Sequence, residues 1–470
     1  HRPEKIEAQR LRPPAATLSA VWPTEPPSSA PLGVEGVCVL RANWVLDVAV
    51  VEEVRMQAVA GLSERELARV RGRLVEFTGE IFESMRRKDQ RRWGECYVRG
   101  LMLDGRRKSI EPMAARLEDG DEQCLQQFVN QSPWDEVPVR RALARRMCRE
   151  LAPEAWVIDD TGFPKFGKMS VGVARQYSGA LGKVGNCQIG VSVNACSDVA
   201  SCPLDWRLFI PKEWDEDGEF NQDRRAKCKL PEDVHHTEKW RLALEMLDDL
   251  RTWGIEPPVI LADGAYGDIT EFRSGLEDRG LSYVLDVKGA TSAYAEDVQR
   301  EQPEYQGRGR PPVARYHQAP SSLKDLALAA GKNAAKAVSW REGTRGKMNS
   351  RFLALRVRPA NIELRHAAHK ADQDLQVCWL VCEWPSKASE PVKYWLSNLP
   401  ADTRLKDLVR LGKMRWRIEH DYRELKDALG LDHFEGRTYR GWNHHVTLVS
   451  VAQAVLTLER RRRPPARAAA

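Results

Sequence analysis

Between residues 155 and 287 the order of apolar runs and acids leaves few ways to fold. Ala155–Asp159 is an apolar run ending in Asp159-Asp160-Thr161. Runs at Ser170–Tyr177, Cys187–Asn194 and Leu204–Ile210 follow, separated by Gly- and Ser-containing turns, and read as strands of a meander. The period then changes. A helix is expected over 238–252, an apolar strand over 258–263 that ends at Asp263 and breaks at Gly264, a helix over 269–279, and a strand at Ser282–Val287. Strands followed by helix, strand, helix, strand predict a mixed α/β sheet. In such a sheet the two strands that end on acids lie side by side.

A third acid comes from further down the chain. Over 404–429, Leu408, Leu411, Ile418, Tyr422, Leu425 and Leu429 recur at three- and four-residue steps, the pattern of one amphipathic helix. At about 100° per residue, Arg415, Glu419 and Lys426 fall along one edge of the buried stripe. Glu424 falls on the opposite, solvent side. A carboxylate at the rim of a core between two cations makes Glu419 the acid expected to join the two aspartates.

The remaining segments frame this core. Residues 1–55 begin with a Pro-, Ala- and Ser-rich stretch that reads as a disordered or non-native extension, and the apolar run at 37–51 has no assignment. Ser63 and Glu66 form a capping-box pattern that opens a helical region over 56–150. It carries two basic helices. One includes Arg91 and Arg92, interleaved with Trp93 and Tyr97, and the other includes Arg140 and Arg141. A solvated helix face explains either alone; both together, ahead of an acidic core, suit phosphate contacts and make this region a candidate DNA-binding domain. Residues 290–400 are too long for a loop and contain strand-like runs at 351–357, 376–383 and 392–399, so an inserted β-rich subdomain is expected. A last apolar helix is expected over 443–459, with a basic tail over 460–470.

Composition narrows the function classes. A net charge of +6 on 470 residues makes any nucleic-acid surface local rather than global. The ten cysteines show no paired Cys-x-x-Cys spacing, so neither a structural zinc nor a disulfide framework is expected. No apolar run reaches the ~18–20 residues that span a bilayer, and a cytoplasmic protein is expected. His235-His236 and His444-His445 are adjacent pairs whose rings point apart, which suits caps, core or surface better than a metal. Trp340, Trp379 and Trp395 have the chemistry to stack on an unpaired base, with a core role favoured for the last two.

Two or three convergent carboxylates are the ligands that hard divalent ions take. Two such ions about 3.5–4 Å apart activate a water and stabilise the leaving oxygen in phosphodiester cleavage. Asp159 or Asp160, Asp263 and Glu419 supply such a set from two strand ends and a helix.

At these residues the chain resembles bacterial insertion-sequence transposases of the DDE superfamily. The resemblance rests on 157–165 (Val-Ile-Asp-Asp-Thr-Gly-Phe-Pro-Lys) with 170–177 and 186–188 behind it, on Ala262-Asp263-Gly264-Ala265-Tyr266-Gly267, and on Arg415, Glu419 and Lys426 in the spacing Arg-x3-Glu-x6-Lys before Gly430–Arg437. Many relatives have Tyr three residues before that Arg; here Gly412 stands there. The resemblance covers roughly 60–460. It implies an RNase H-like core at 151–289 and 401–459 with a β insertion between, and two Mg²⁺ or Mn²⁺ ions. The Asp-x-Thr form of the motif fits Asp159; the form with the acid directly before Thr fits Asp160.

The resemblance further implies that Arg415 and Lys426 hold phosphates near the scissile bond. The plainer role for Arg415 is an i,i+4 salt bridge to Glu419. Lys165 and Lys168 are further candidates for DNA contact. The expected activity is binding of terminal inverted repeats in double-stranded DNA, metal-dependent cleavage of the ends, and joining of the 3′ hydroxyl to target DNA by a homodimer. A domesticated DNA-binding protein and a stand-alone RNase H-like nuclease are the alternatives.

Overall fold

The computed structural model of the chain describes residues 64–179, 182–309, 312–343 and 346–462. The expected extension over 1–55, the run at 37–51, the Ser63 cap and the end of the basic tail lie outside the described residues. Five helices come first: α1 (Glu64–Ile81), α2 (Lys88–Met102), α3 (Ile110–Ala114), α4 (Glu122–Asn130) and α5 (Glu136–Leu151). Asp121 and Asp135 cap α4 and α5 by accepting the backbone N–H of Cys124 and Val137.

β1 (Ala155–Pro164) pairs antiparallel along its whole length with β3 (Lys183–Cys196), and β3 carries β2 (Ala174–Ser178) and β4 (Ser201–Phe209) on its other edge. After α6 (Glu219–Lys227) and α7 (Lys239–Thr252), β5 (Ile260–Ala262) lies parallel to β1. After α8 (Gly264–Gly267) and α9 (Thr270–Asp278), β6 (Tyr283–Val287) lies parallel to β5. This is the expected RNase H-like sheet, with the two acid-bearing strands adjacent. One expectation needs correction. The acids do not close β1, which runs on to Pro164 because β3 pairs with it throughout. β5 covers only Trp156–Ile158, so the opposite edge of β1 is open from Asp159 onward.

The inserted region is β-rich, as expected, and its strands join the core sheet. It holds β7 (Ser292–Ala295), β8 (Ser321–Ser322), α10 (Leu323–Ala330), β9 (Lys336–Gly343), β10 (Gly346–Pro359), α11 (Ile362–Ala371), β11 (Cys378–Glu383) and β12 (Lys393–Ser397). β12 pairs antiparallel with β6, so the insertion continues the core sheet to twelve strands. The physical reason is that β6 would otherwise leave a row of unpaired N–H and C=O groups.

The chain then returns as α12 (Leu405–Met414), α13 (Trp416–Asp427) and α14 (Tyr439–Arg462). The single helix expected over 404–429 is thus two. Arg415 keeps right-handed helical angles (φ −55°, ψ −29°), but the turn tightens, with Ile418 N–H donating to Arg415 C=O. α14 is buried along most of its length and packs against α2, α4, α5 and β4. The N-terminal helices therefore share one continuous core with the sheet rather than forming a core of their own. The described cysteines are free, and among the described residues no helix is long and apolar enough to cross a membrane.

Arg140 shows what this shared core demands, and it corrects the reading of that residue as a DNA contact. It is 3% exposed. Its guanidinium donates to Asp205, the Trp206 carbonyl, Asn443 and Thr447, tying α5 to β4 and α14. The neighbouring Arg141 is exposed. Arg140→Ala strips donors from fully buried partners and is expected to cost about 3–5 kcal/mol, read by urea unfolding; Arg141→Ala should stay within about 0.5 kcal/mol.

Candidate active site

Strand register builds the site. Trp156, Val157 and Ile158 pair with Ile260, Leu261 and Ala262, which pair in turn with Tyr283, Val284 and Leu285. One residue further along, Asp159, Asp263 and Asp286 stand level on three neighbouring strands spaced about 4.8 Å apart. Level positions in a ladder point to one face. By the same alternation Asp160 points to the other face, where Lys239 of α7 meets its carboxylate at 2.7 Å. Of the two sequence candidates, then, Asp159 shares the face of Asp263, while Asp160, whose charge also reaches Asp263, pairs with Lys239.

α12 and α13 cover the Asp159 face. Tyr422 of α13 shares a 2.7 Å hydrogen bond with Ser192, the residue opposite Asp159 in the β1–β3 ladder. Trp395, opposite Asp286 in the β6–β12 ladder, lies under α12. Gly412 permits this approach, since a Cβ there would stand 3.2 Å from the Trp395 indole. Arg415, at the break between the helices, reaches down to the sheet. One Nη lies 3.2 Å from Asp159 Oδ2 and the other 3.0 Å from Glu419 Oε1.

Glu419 is not at the core rim as its helical position suggested; its side chain is 61% exposed, on the solvent side of Arg415. Glu424 is also corrected. It is not a solvent residue but is tied to Arg460 of α14.

Burial pushes the Asp159 carboxyl up to about 7, against the pull of Arg415 and with a further push from Asp263 and Asp160. Burial raises Asp263 and Asp286 as well. For Arg415 burial works against the charge, but Asp159, Asp263, Glu419 and Asp286 together outweigh it and hold the guanidinium above its ordinary value. Asp263 also caps α8, its Oδ1 accepting the Ala265 N–H at 3.0 Å.

The cations expected to meet DNA divide into two groups. Lys426 donates to the Gly162 carbonyl at 2.7 Å, and burial lowers its pKa. Lys165 donates to the Phe434 carbonyl and is likewise lowered by burial. Arg92 and Lys168 are exposed and Arg91 is half-buried. The aromatic candidates are engaged: Lys413 lies over Trp340 and Trp395, and Arg356 over Trp379. His444 and His445 are core residues that bond to backbone carbonyls.

Asp286, level with Asp263 on the next strand, escaped sequence reading. The signal was present, because Ser282–Val287 carries an acid at its end as the other two strands do.

An all-carboxylate donor set in partial burial suits hard divalent ions such as Mg²⁺ or Mn²⁺. Elsewhere His420, Asp421 and Glu424 have ligand atoms within 4.8 Å of one another, but Ser201 bonds to Asp421 and Arg460 to Glu424, which leaves that group committed to the scaffold. The raised pKa of Asp159 has a sign that is simple to test. Its carboxyl is favoured protonated in the fold, so its stabilising contribution is complete below pH 4 and is lost as pH rises through about 7. Without added divalent ions, Asp159→Asn is expected to melt higher than the wild type at pH 8, by on the order of 2 °C or more, and by much less at pH 5. Differential scanning fluorimetry at the two pH values reads this directly.

Comparison with known proteins agrees with the geometry. The chain is 26% identical over 209 residues to the protein described as probable transposase for insertion sequence element IS701, from Microchaete diplosiphon, a match covering 44% of this chain and 50% of that one. The chain thus spans about half the length of the curated relative it matches. The family model described as DDE superfamily endonuclease matches residues 80–347, which takes in β1, β5 and β6 and stops before α12. With more than half its length matched and its acids aligned on neighbouring strands, this chain belongs to the DDE superfamily of endonucleases.

Proposed function

We propose that the chain is a transposase that binds terminal inverted repeats as a homodimer, cleaves the DNA ends and joins the freed 3′ hydroxyl to target DNA. One observation carries the reading: Asp159 and Asp263 stand level on adjacent strands, and Arg415 links Asp159 to Glu419 above them. Both chemical steps are in-line displacements at phosphorus, so one site can serve both.

In this reading Asp159, Asp263 and Glu419 would hold two divalent ions. Such a pair supplies an activated water or hydroxyl and neutralises charge on the leaving oxygen. Arg415 starts out bonded to two of the ligands. Were the ions bound, these two residues would hold them, and the guanidinium beside them has the two-pronged geometry suited to a phosphate oxygen. Lys426 braces α13 against the far half of β1 through Gly162, so its first duty is to position the helix that bears Glu419. Lys168, Arg92 and Arg141 are the exposed cations proposed to meet the DNA backbone, with the half-buried Arg91 beside them.

The test is end cleavage by purified protein with Mg²⁺ and DNA carrying the element's own termini. Asp159→Asn, Asp263→Asn and Glu419→Gln are each expected to slow cleavage by about 10³-fold or more, near 4 kcal/mol in barrier. Asp160→Asn and Glu424→Gln should lose less than about tenfold. Failure of the wild type to cut, or full activity in Asp159→Asn with loss in Asp160→Asn, refutes this assignment.

A further inference from the structure

We propose that the outer face of the β2–β3 hairpin, with Phe166 beside it, is a surface for an unpaired DNA strand. The inference rests on the DNA-processing reading above and adds a contact to it.

The hairpin has two unlike faces. Alternation along β2 puts Ala174 and Ser178, both buried, on one face and Arg175 and Tyr177, both exposed, on the other. On β3, Asn186 and Val184 stand opposite Arg175 and Tyr177 and share the outer face. The inner face is seated on β1, where Ser178 Oγ occupies the space that a Cβ on Gly162 would need. Gly162 lies three residues along β1 from Asp159, and its carbonyl accepts the Lys426 bond from α13. The hairpin is thus anchored on the strand that carries the first acid. Asn186 also ties in the loop between β1 and β2. Its side-chain nitrogen donates to the carbonyls of Lys165 and Gly167, each at 2.7 Å. Between those two residues stands Phe166, which is fully exposed.

Tyr177 is 64% and Val184 52% exposed, so apolar side chains stand in solvent on both strands and on the adjoining loop. Charge selects the partner. Residues 161–197 contain Lys165, Lys168, Arg175 and Lys183 and no Asp or Glu. Lys168, Arg175 and Lys183 are exposed. Asp432 and Glu435, from the loop after α13, act on Lys165, the cation already bonded to the Phe434 carbonyl. Solvated aromatic rings set among exposed cations match a polyanion that carries flat apolar rings of its own, which is a nucleic-acid strand. Bases offer their faces to such rings when they are not stacked in a duplex, and this favours a single strand over paired DNA.

The test uses the full chain and a labelled single-stranded oligothymidine, with a blunt duplex of the same length beside it, read by fluorescence anisotropy. Phe166→Ala combined with Tyr177→Ala is expected to weaken single-strand binding about tenfold or more, and duplex binding by less than about twofold. Phe166→Tyr with Tyr177→Phe keeps both rings and should retain the affinity. Arg175→Gln with Lys183→Gln should lower the slope of log affinity against log salt by about 1.4 for the single strand. These side chains are solvated, so the variants are expected to fold, and thermal melting checks that they do. Unchanged single-strand affinity without the two rings, equal loss on single strand and duplex, or an unchanged salt slope overturns the proposal. Loss of self-association in the alanine pair by light scattering, with single-strand affinity intact, assigns the surface to a second copy of the chain and also overturns it. A wild type that binds duplex but not the single strand refutes this inference alone. One that binds neither takes the transposase reading down with it.

Discussion

The acidic edge depends on one ion pair network centred on Arg415. Without ions bound, a row of partly buried carboxylates repels itself, and water is too scarce there to screen the charge. A single guanidinium at the α12–α13 break touches the first and last acids and offsets their repulsion. This accounts for the break. A straight helix carries its side chains at fixed angles, whereas a tightened turn at Arg415 directs one long cation into the sheet while Glu419 stays near the surface. The arrangement is loose enough to be exchanged. Glu419 is solvated, and each contact is an ordinary hydrogen bond rather than a buried lattice of them.

The sheet supplies the precision that the helices do not. Asp159 lies within a ladder paired along its whole length on one side and released on the other where β5 stops. The strand is rigid because of β3, and the crevice exists because β5 is short. Chemistry that needs acids held within a fraction of an ångström is better served by strand positions than by loops. α14 then fixes the sheet from behind, through the buried bonds of Arg140 to β4 and to α14 itself.

Much of this was legible in the residues. The order of strands and helices and the pairing of β1 with β5 follow from periodicity and from the acids at strand ends. Alternation along a strand puts Asp159 and Asp160 on opposite faces, and only the fold reveals that Lys239 partners the second. What sequence could not give was long-range pairing. Arg140 sits in a run of arginines that reads as a basic surface, and nothing local says that Asp205, sixty-five residues on, and Asn443, at the other end of the chain, will enclose it. Glu424 looked solvated for the same reason, since Arg460 arrives from another helix. Asp286 was missed because its strand was read for fold alone.

The way the insertion joins the core bears on how the protein can be dissected. Because β12 is stitched to β6 as the next strand of one sheet, the inserted stretch shields a hydrogen-bonding edge as well as adding surface. Excising 290–400 to obtain a minimal core would bare β6 as an open edge beside the acids, the kind of edge that recruits other chains. Such a trimmed protein would fail by self-association before its catalytic competence could be judged, so solubility of the fragment says more about the edge than about the site.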